Sequence, residues 1–191
     1  MPQRRRRAVI FDRDGVLNVD HGYVYETNNF EWTPGATRAI RRCNEAGVLV
    51  IVATNQSGIG RGYYDEASMH ALHEQMKADL ATVGGWLDAI YWCPFHPDAV
   101  TEAFRHPDHP DRKPNPGMIL RALEEWSLEP ANVILVGDKE TDMEAARRAG
   151  VAGHLFSGGN LDAFVQPLLA TLFPRSPVPR WTSSARRRWS K

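Results

Sequence analysis

Short apolar runs, separated by polar stretches, are the main pattern of this chain. Each run is rich in Val, Ile, Leu or Ala and is bounded by turn-forming or charged residues. Continuous apolar runs of this length are typical of strands that are buried on both faces of a parallel sheet. Five strands are therefore predicted, at Ala8–Phe11, 48–53, 87–92, 133–136 and 151–156.

Between these runs, apolar residues recur at helical spacing. Thr33 as N-cap and Pro34 at the first helical position predict the start of the first helix, which Gly47 ends. The predicted helices are 33–47, 65–83, one that starts with Asn115 as cap and Pro116 at its first position, and Glu140–Ala149, closed by Gly150. Strands that alternate with helices predict an α/β fold, a Rossmann-like three-layer α/β/α arrangement around a parallel sheet.

The composition is that of an ordinary globular enzyme. The chain has 191 residues, of which 42% are apolar and 24% are charged. No apolar run approaches the roughly 18 residues of a membrane span, and the first residues lack the apolar stretch of a signal peptide. Only Cys43 and Cys93 are present, so no disulfide framework is expected. We expect a cytoplasmic enzyme, monomeric and without a membrane partner.

Charge is unevenly distributed along the chain. The net charge is zero, but residues 4–7 are four arginines, and residues 173–191 contain six basic and no acidic residues. The rest of the chain therefore has 13 basic against 23 acidic residues, a charge of about −10, which argues against nucleic acid as a partner. We predict one domain over 1–172 and a flexible basic tail over 173–191, although contact of the tail with an acidic partner stays open.

Two carboxylates follow the first predicted strand. Ligands of such sheets bind beyond the carboxyl ends of the strands. Asp12 and Asp14 lie two residues apart there, so their side chains are expected to face one site. Two converging carboxylates repel unless a cation relieves them, and Mg²⁺ prefers such oxygen ligands. Taken alone, the pattern is equally typical of a strand-to-turn junction, where Asp is common.

Three further motifs favour phosphate chemistry over a simple turn. Thr54 follows the second strand and begins a run with Asn55, Gln56, Ser57 and Gly58, whose hydroxyl, amide and backbone N–H groups can cradle phosphate.

The other two motifs supply charge. Arg112 and Lys113 end a long loop, and a fixed lysine neutralises charge on a phosphoryl group. Asp138 follows the fourth strand, with Lys139 and the further carboxylate Asp142 after it, and it is suited to complete a metal site.

The four motifs together, in this order, resemble those of the haloacid dehalogenase superfamily over roughly residues 8–156. The resemblance implies that Asp12 is the nucleophile and that Asp14 protonates the leaving oxygen and then activates water. It also implies that Thr54 and Lys113 hold the phosphoryl group. Mg²⁺ would be held by the Asp12 carboxylate, the Asp14 backbone carbonyl and Asp138. The short gap between Asp14 and Thr54 leaves no room for a large cap domain.

A second resemblance is closer. The run from Asn18 to Val24, the Asn29-Phe30-Glu31 triplet and the run from Thr54 to Gly58 are similar to the heptose bisphosphate phosphatases, which form one branch with the histidinol phosphatases. The heptose bisphosphate phosphatases remove the 7-phosphate of D-glycero-D-manno-heptose 1,7-bisphosphate on the route to lipopolysaccharide or S-layer sugars. By this resemblance the substrate-binding residues are Asp20, His21, Gly22, Tyr23, Thr54, Asn55, Gln56, Ser57, Arg112 and Lys139.

Residues 94–115 form a long, Pro- and His-rich loop. Many relatives carry a zinc-binding Cys-x-His and Cys-x-Cys pattern here, but Phe95, His109 and Asp111 occupy three of those positions. A different set has spacing that tetrahedral zinc can use, namely Cys93, His96, His106 and His109. A structural zinc ion and a metal-free loop stiffened by five prolines are both compatible with the sequence.

Other substrates remain compatible with the same chemistry. Histidinol phosphate or another small sugar phosphate is the first alternative, although the run from Asp20 to Val24 argues against histidinol phosphate. A 3′-phosphatase acting on nucleic acid is the second, and the acidic body counts against it. A non-catalytic binding protein is disfavoured because Asp12, Asp14, Thr54, Lys113 and Asp138 are all present.

Overall fold

The computed structural model describes residues 6–172. Five parallel strands form one sheet in the order β3-β2-β1-β4-β5. The strands are β1 Ala8–Phe11, β2 Leu49–Asn55, β3 Ala89–Cys93, β4 Val133–Gly137 and β5 Ala152–Leu155. The helices are α1 Ala36–Glu45, α2 Ser57–Gly60, α3 Glu66–Thr82, α4 Gly117–Glu125, α5 Glu140–Ala149 and α6 Leu161–Leu172. The predicted α/β fold with a parallel sheet is confirmed.

Helices cover both faces of the central strands β1, β2 and β4, whereas the edge strand β5 is largely exposed. In β1, Val9 and Phe11 pack on one face with residues of α1, α3 and α6, while Ala8 and Ile10 pack on the other with residues of α4 and α5. The two apolar layers account for the nearly unbroken apolar runs in the sequence. Because these strands are parallel, the polar residues at the carboxyl ends of β1, β2 and β4 lie at the same edge of the sheet.

The structure corrects several predicted element ends: β3, for example, is Ala89–Cys93 and not 87–92, and β5 is Ala152–Leu155 and not 151–156. Helix α1 begins at Ala36, not at Pro34, because Gly35 has φ +82° and is the N-cap in place of Thr33. A Cβ atom at Gly35 would also collide with the side chain of Asn160. Helix α4 begins at Gly117, with Pro116 as N-cap. Strand β2 extends to Asn55, so Thr54 lies within the strand.

Helix α6 was not predicted. Its buried Leu161, Val165 and Leu169 pack in the core layer of α1, and Arg42 of α1 forms a bidentate ion pair with Asp162 at 2.7 and 2.9 Å. The predicted tail, 173–191, lies outside the described residues, as do Arg4 and Arg5.

The connection between β1 and α1 contains one short 3₁₀ turn, Thr27–Asn29. The described part of the chain therefore has no large cap domain between these two elements, as predicted. Within residues 6–172, none of the helices combines the length and the apolar character that crossing a bilayer requires.

Candidate active site

Three carboxylates converge at the carboxyl ends of β1 and β4. Asp12 follows β1, and its backbone N–H donates to the carbonyl of Val136 at 2.9 Å. Asp138 follows β4, and Asp142 lies in the first turn of α5, where it accepts the N–H of Lys139. The oxygens of Asp12, Asp138 and Asp142 lie within 4.8 Å of one another. Among residues 6–172, this is the one group of three or more His, Cys, Asp or Glu side chains placed so closely.

The electrostatics of this group fit a divalent cation. Burial raises the pKa of Asp12 to about 6, and the nearby Asp142 and Asp14 add to the rise while Lys113 opposes it. Burial likewise raises the pKa of Asp138. Asp138 Oδ1 is buried and accepts no hydrogen bond from the described residues. A hard cation would offset the repulsion among the three carboxylates and give the unpaired Asp138 oxygen a partner, so the residues present fit Mg²⁺.

Gly15 explains how Asp138 comes so close to the first motif. Its φ is +84°, a region that glycine adopts without strain. A Cβ atom at this position would collide with the carboxylate of Asp138. A larger residue at position 15 would therefore displace the carboxylate from the group.

Lys113 reaches the carboxylates from the long loop. Its ammonium lies 2.9 Å from Asp12 Oδ1 and 2.5 Å from Asp142 Oδ1, and it donates to the carbonyl of Ala53 at 2.8 Å. Burial alone lowers the pKa of Lys113, but Asp12 and Asp142 outweigh that effect and raise it. Asn55 clamps the lysine backbone, since its amide bonds both the N–H and the carbonyl of Lys113 at 3.0 Å. The lysine is therefore a fixed positive charge beside Asp12.

The Asp14 carboxylate is held by hydrogen-bond donors on several sides. Arg13 donates to both of its oxygens at 2.9 Å, Asn18 donates at 3.1 Å, and Gln56 donates at 3.1 Å. Gln56 also donates to Thr54 Oγ1 at 2.9 Å. The orientations of Asp14 and Thr54 are therefore coupled through one amide.

A cleft of about 390 Å³ is lined by Asp12, Asp14, Lys113 and Asp142, but not by Asp138, Arg13, Asn18 or Gln56. Eleven of the predicted site residues line it, namely Asp12, Asp14, Asp20, Gly22, Tyr23, Thr54, Asn55, Ser57, Arg112, Lys113 and Lys139. The ammonium of Lys139 lies 3.3 Å from Asp20 and 3.8 Å from Asp138, so it links the segment around Asp20 to the cluster of Asp12, Asp138 and Asp142. Arg112 donates to the carbonyl of Phe95 at 3.2 Å.

Two predicted substrate-binding residues lie elsewhere. His21 lines a neighbouring hollow of about 380 Å³ formed by residues 21–31, where its Nε2 is 3.8 Å from Glu31. Gln56 is buried, and its side chain is occupied by Asp14, Thr54 and the hydroxyl of Tyr64. Gln56 therefore orients Asp14 and Thr54 by hydrogen bonds and does not line the cleft itself.

The four candidate zinc ligands do not converge in the way that the three carboxylates do. His96, His106 and His109 each begin a His-Pro-Asp triplet, and each Nδ1 accepts the backbone N–H of the Asp two residues on, at 3.0 to 3.1 Å. His96 Nε2 lies 2.6 Å from Arg61, and His109 stacks on Phe95. Cys93 is buried in the sheet core, and burial raises its pKa to about 11. This geometry favours the loop without metal.

Three residues of the site were not assigned a role from the sequence. Asp142 was noted only as a further carboxylate, yet it pairs with Lys113. Its position four residues after Asp138, in the first turn of a predicted helix, was the signal available. Tyr64 and Thr141 also line the cleft, and no local pattern marks either of them.

Comparison with known proteins agrees with this geometry. The model of a HAD-hydrolase-like family matches residues 111–165. The chain is 40% identical over 166 residues to the D-glycero-beta-D-manno-heptose-1,7-bisphosphate 7-phosphatase of Rhodopseudomonas palustris, covering 86% of this chain and 91% of the relative. It is 44% identical over 147 residues to the D-glycero-alpha-D-manno-heptose-1,7-bisphosphate 7-phosphatase of Burkholderia mallei, covering 77% of each chain.

A solved structure is similar as well. The D,D-heptose 1,7-bisphosphate phosphatase of B. bronchiseptica, complexed with magnesium and phosphate, superposes with a TM-score of 0.75 at 34% identity. The match covers 86% of this chain and 98% of that chain. The fold is therefore shared over most of this chain with a protein whose structure was solved with magnesium, the ion for which the three carboxylates are suited.

Proposed function

The chain belongs to the D-glycero-D-manno-heptose-1,7-bisphosphate 7-phosphatase family of HAD-like hydrolases, and from this premise we propose that it is a Mg²⁺-dependent phosphatase that removes the 7-phosphate of this sugar bisphosphate through an aspartyl-phosphate intermediate on Asp12. The observation that carries the proposal is the buried Asp12, paired with Lys113 and close to two further carboxylates at the floor of a polar cleft.

Asp12 is suited to act as the nucleophile. Its carboxylate is buried and directed into the cleft, and Lys113 next to it favours the ionised form that attack on phosphorus requires. The attack transfers the phosphoryl group to Asp12 and releases the sugar oxygen. Charge that develops on the phosphoryl oxygens meets the Lys113 ammonium, and the Thr54 hydroxyl lies in the lining of the same cleft.

Asp14 is suited to move the protons. In the first half-reaction it gives a proton to the leaving sugar oxygen, and in the second it takes one from the water that hydrolyses the aspartyl phosphate. Its carboxylate lines the cleft beside Asp12 but is bonded to different donors, so the two acids have separate environments.

Asp12, Asp138 and the Asp14 carbonyl would hold Mg²⁺, which supplies charge neutralisation for the transferred phosphoryl group when bound. Asp142 supports this arrangement by holding Lys113 from the other side.

The cleft rim supports a substrate with a second phosphate. Asp20, Gly22 and Tyr23 lie on one side of the cleft and can contact sugar hydroxyls. Arg112 and Lys139 also line it, and two cations beyond the Lys113 site are suited to a distal phosphate. Because the relatives named above act on the alpha and on the beta anomer, the choice of anomer is left to experiment.

The test is phosphate release with Mg²⁺ from four substrates: the two anomers of the heptose bisphosphate, histidinol phosphate and a 3′-phosphorylated oligonucleotide. We expect kcat/KM to be highest for one bisphosphate anomer. Asp12→Asn keeps the size of the side chain but cannot form the acyl phosphate, so it is expected to abolish turnover with an unchanged circular dichroism spectrum. A preference for histidinol phosphate would overturn the substrate assignment, and normal turnover by Asp12→Asn would overturn the mechanism.

A further inference from the structure

A buried Arg–His pair lies beneath the cleft and has no part in the mechanism above. Arg13 stands between the two aspartates of the first motif, yet it does not line the cleft and is fully buried. His73, on α3, is 3% exposed. Arg13 NH1 lies 3.3 Å from His73 Nε2. The two residues are 60 positions apart in the chain, so their pairing is a feature of the tertiary structure alone.

The chemistry of the pair determines the direction of its hydrogen bond. A guanidinium is always charged and only donates, so the His73 nitrogen that faces it must accept. His73 is therefore neutral, with its proton on Nδ1. Burial lowers the pKa of His73 to about 3, and the charge of Arg13 adds to this effect, so the ring stays neutral at any working pH.

Arg13 in turn is the main partner of the Asp14 carboxylate. Of the five hydrogen bonds that the carboxylate accepts from side chains in the described residues, Arg13 donates three. NH2 of Arg13 also donates to the carbonyl of Val24 at 2.6 Å. The remaining terminal nitrogen, NH1, is the one that His73 engages. His73 therefore accepts a hydrogen bond from the one terminal guanidinium nitrogen that bonds neither Asp14 nor Val24.

We propose that His73 is a positioning residue of this phosphatase: by accepting a hydrogen bond from Arg13, it fixes the guanidinium that orients Asp14 towards the leaving group. The proposal rests on the proposed function, in which Asp14 is the proton donor. Removing the acceptor leaves Arg13 NH1 buried without a partner, and the guanidinium must shift to satisfy it. Loss of the hydrogen-bond partner of a metal ligand typically lowers activity by about 10- to 100-fold, and we expect an effect of this order for the partner of Arg13.

Leaving-group dependence separates this role from a merely structural one. A phosphate ester with a good leaving group, such as p-nitrophenyl phosphate, needs little help from an acid, whereas phenyl phosphate and alkyl phosphates need a proton donor. Loss of stability lowers the rate for every substrate alike. Loss of Asp14 orientation lowers kcat/KM mainly for the poor leaving groups, because kcat/KM reports the first half-reaction, in which the leaving oxygen is protonated. The value of kcat also includes hydrolysis of the aspartyl phosphate, where Asp14 serves every substrate alike.

The experiment measures kcat and KM of the full chain with Mg²⁺ for p-nitrophenyl phosphate, phenyl phosphate and an alkyl phosphate. The variants are His73→Leu, which lacks an acceptor, His73→Gln, whose amide oxygen reaches the position of Nε2, and His73→Asn, which is too short. Asp14→Asn defines the effect of losing the acid. His70→Gln is the matched control, because His70 is exposed one turn earlier on α3 with its ring 6.4 Å from that of His73.

We expect His73→Leu and His73→Asn to lose about 10-fold or more in kcat/KM for the alkyl ester but little in kcat/KM for p-nitrophenyl phosphate, and His73→Gln to stay near wild type. The Gln and Asn variants give the same comparison between polar side chains if the leucine variant does not fold. In the double variant with Asp14→Asn, His73→Leu should add no further loss, because both act through one group.

The outcomes are distinguishable. A steep leaving-group dependence in Asp14→Asn with a flat one in all His73 variants would overturn the role of His73 and leave the proposed function intact. A flat dependence in Asp14→Asn itself would remove Asp14 as the acid, and the role of His73 with it. Equal losses in His73→Gln and His73→Leu would also overturn the proposal.

Discussion

Replacing Lys113 by methionine tests the charge balance on which the site depends. The methionine has nearly the same length but no charge, so the variant leaves Asp12 and Asp142 buried without the cation that lies 2.9 and 2.5 Å from them. At an effective dielectric constant of about 20, one unit-charge pair at 2.9 Å attracts by roughly 6 kcal/mol before desolvation is subtracted. Measured losses on removing one partner of a buried pair are about 3–5 kcal/mol.

We therefore expect Lys113→Met to lower the free energy of unfolding of the metal-free protein by about 3–5 kcal/mol. For a chain of this size that corresponds to a fall in Tm of roughly 6–20 °C. The assay is urea unfolding and thermal unfolding in EDTA, together with phosphate release in Mg²⁺, where kcat/KM should fall by about 100-fold or more because a fixed cation at the phosphoryl group is lost.

Lys139→Met is the matched control. Lys139 lines the same cleft, but its side chain is half exposed and lies 3.3 and 3.8 Å from Asp20 and Asp138. Exposed pairs of this kind contribute about 0–1 kcal/mol, so the control should unfold close to wild type. Equal stability of the two variants would refute the claim that Lys113 neutralises a buried carboxylate group.

Two further predictions concern metals. Mg²⁺ should raise Tm more at about pH 8 than at about pH 5. The folded protein raises the pKa of Asp12 to about 6, so the metal-free fold loses stability as this acid ionises between its unfolded and folded pKa values. Thermal unfolding at both pH values, with and without Mg²⁺, checks this, and an equal or larger rise at about pH 5 would contradict it. Untagged protein should contain far less than one zinc per chain, because Nδ1 of each of the three His-Pro-Asp histidines already accepts a backbone N–H. If elemental analysis instead finds about one zinc, and both Cys93→Ser and His109→Ala lose it, the loop binds zinc.

Much of the fold is predictable from local sequence. The apolar run of β1 and the capped helix α5 have the predicted bounds, Ala8–Phe11 and Glu140–Ala149. Gly150 ends α5 with φ +72°, as its position after the last helical residue indicates. These features depend on interactions within one or two turns of chain. Polar residues after β1, β2 and β4 were predicted to meet because parallel strands share an edge, and Asp12, Thr54 and Asp138 do lie at that edge.

The sequence did not predict the features that depend on packing between distant segments of the chain. Helix α6 has apolar residues at helical spacing, but Pro167 interrupts the pattern, and the helix is held by contacts with α1 and the ion pair between Arg42 and Asp162. The zinc hypothesis rested on spacing alone, whereas in the structure Nδ1 of His96 and Nδ1 of His109 each accept a backbone N–H.

The amino-acid sequence by itself predicted the order of the five strands, the edge of the sheet at which the polar residues gather, and the presence there of Asp12, Asp14, Asp138 and Lys113. Only the tertiary structure decided that Asp142 shares Lys113 with Asp12, that His21 lines a neighbouring hollow and not the cleft, and that His73 reaches Arg13 from α3. The physical reason is range. Periodicity and capping act between near neighbours in sequence, while a buried charge finds its partner only after distant segments have packed together.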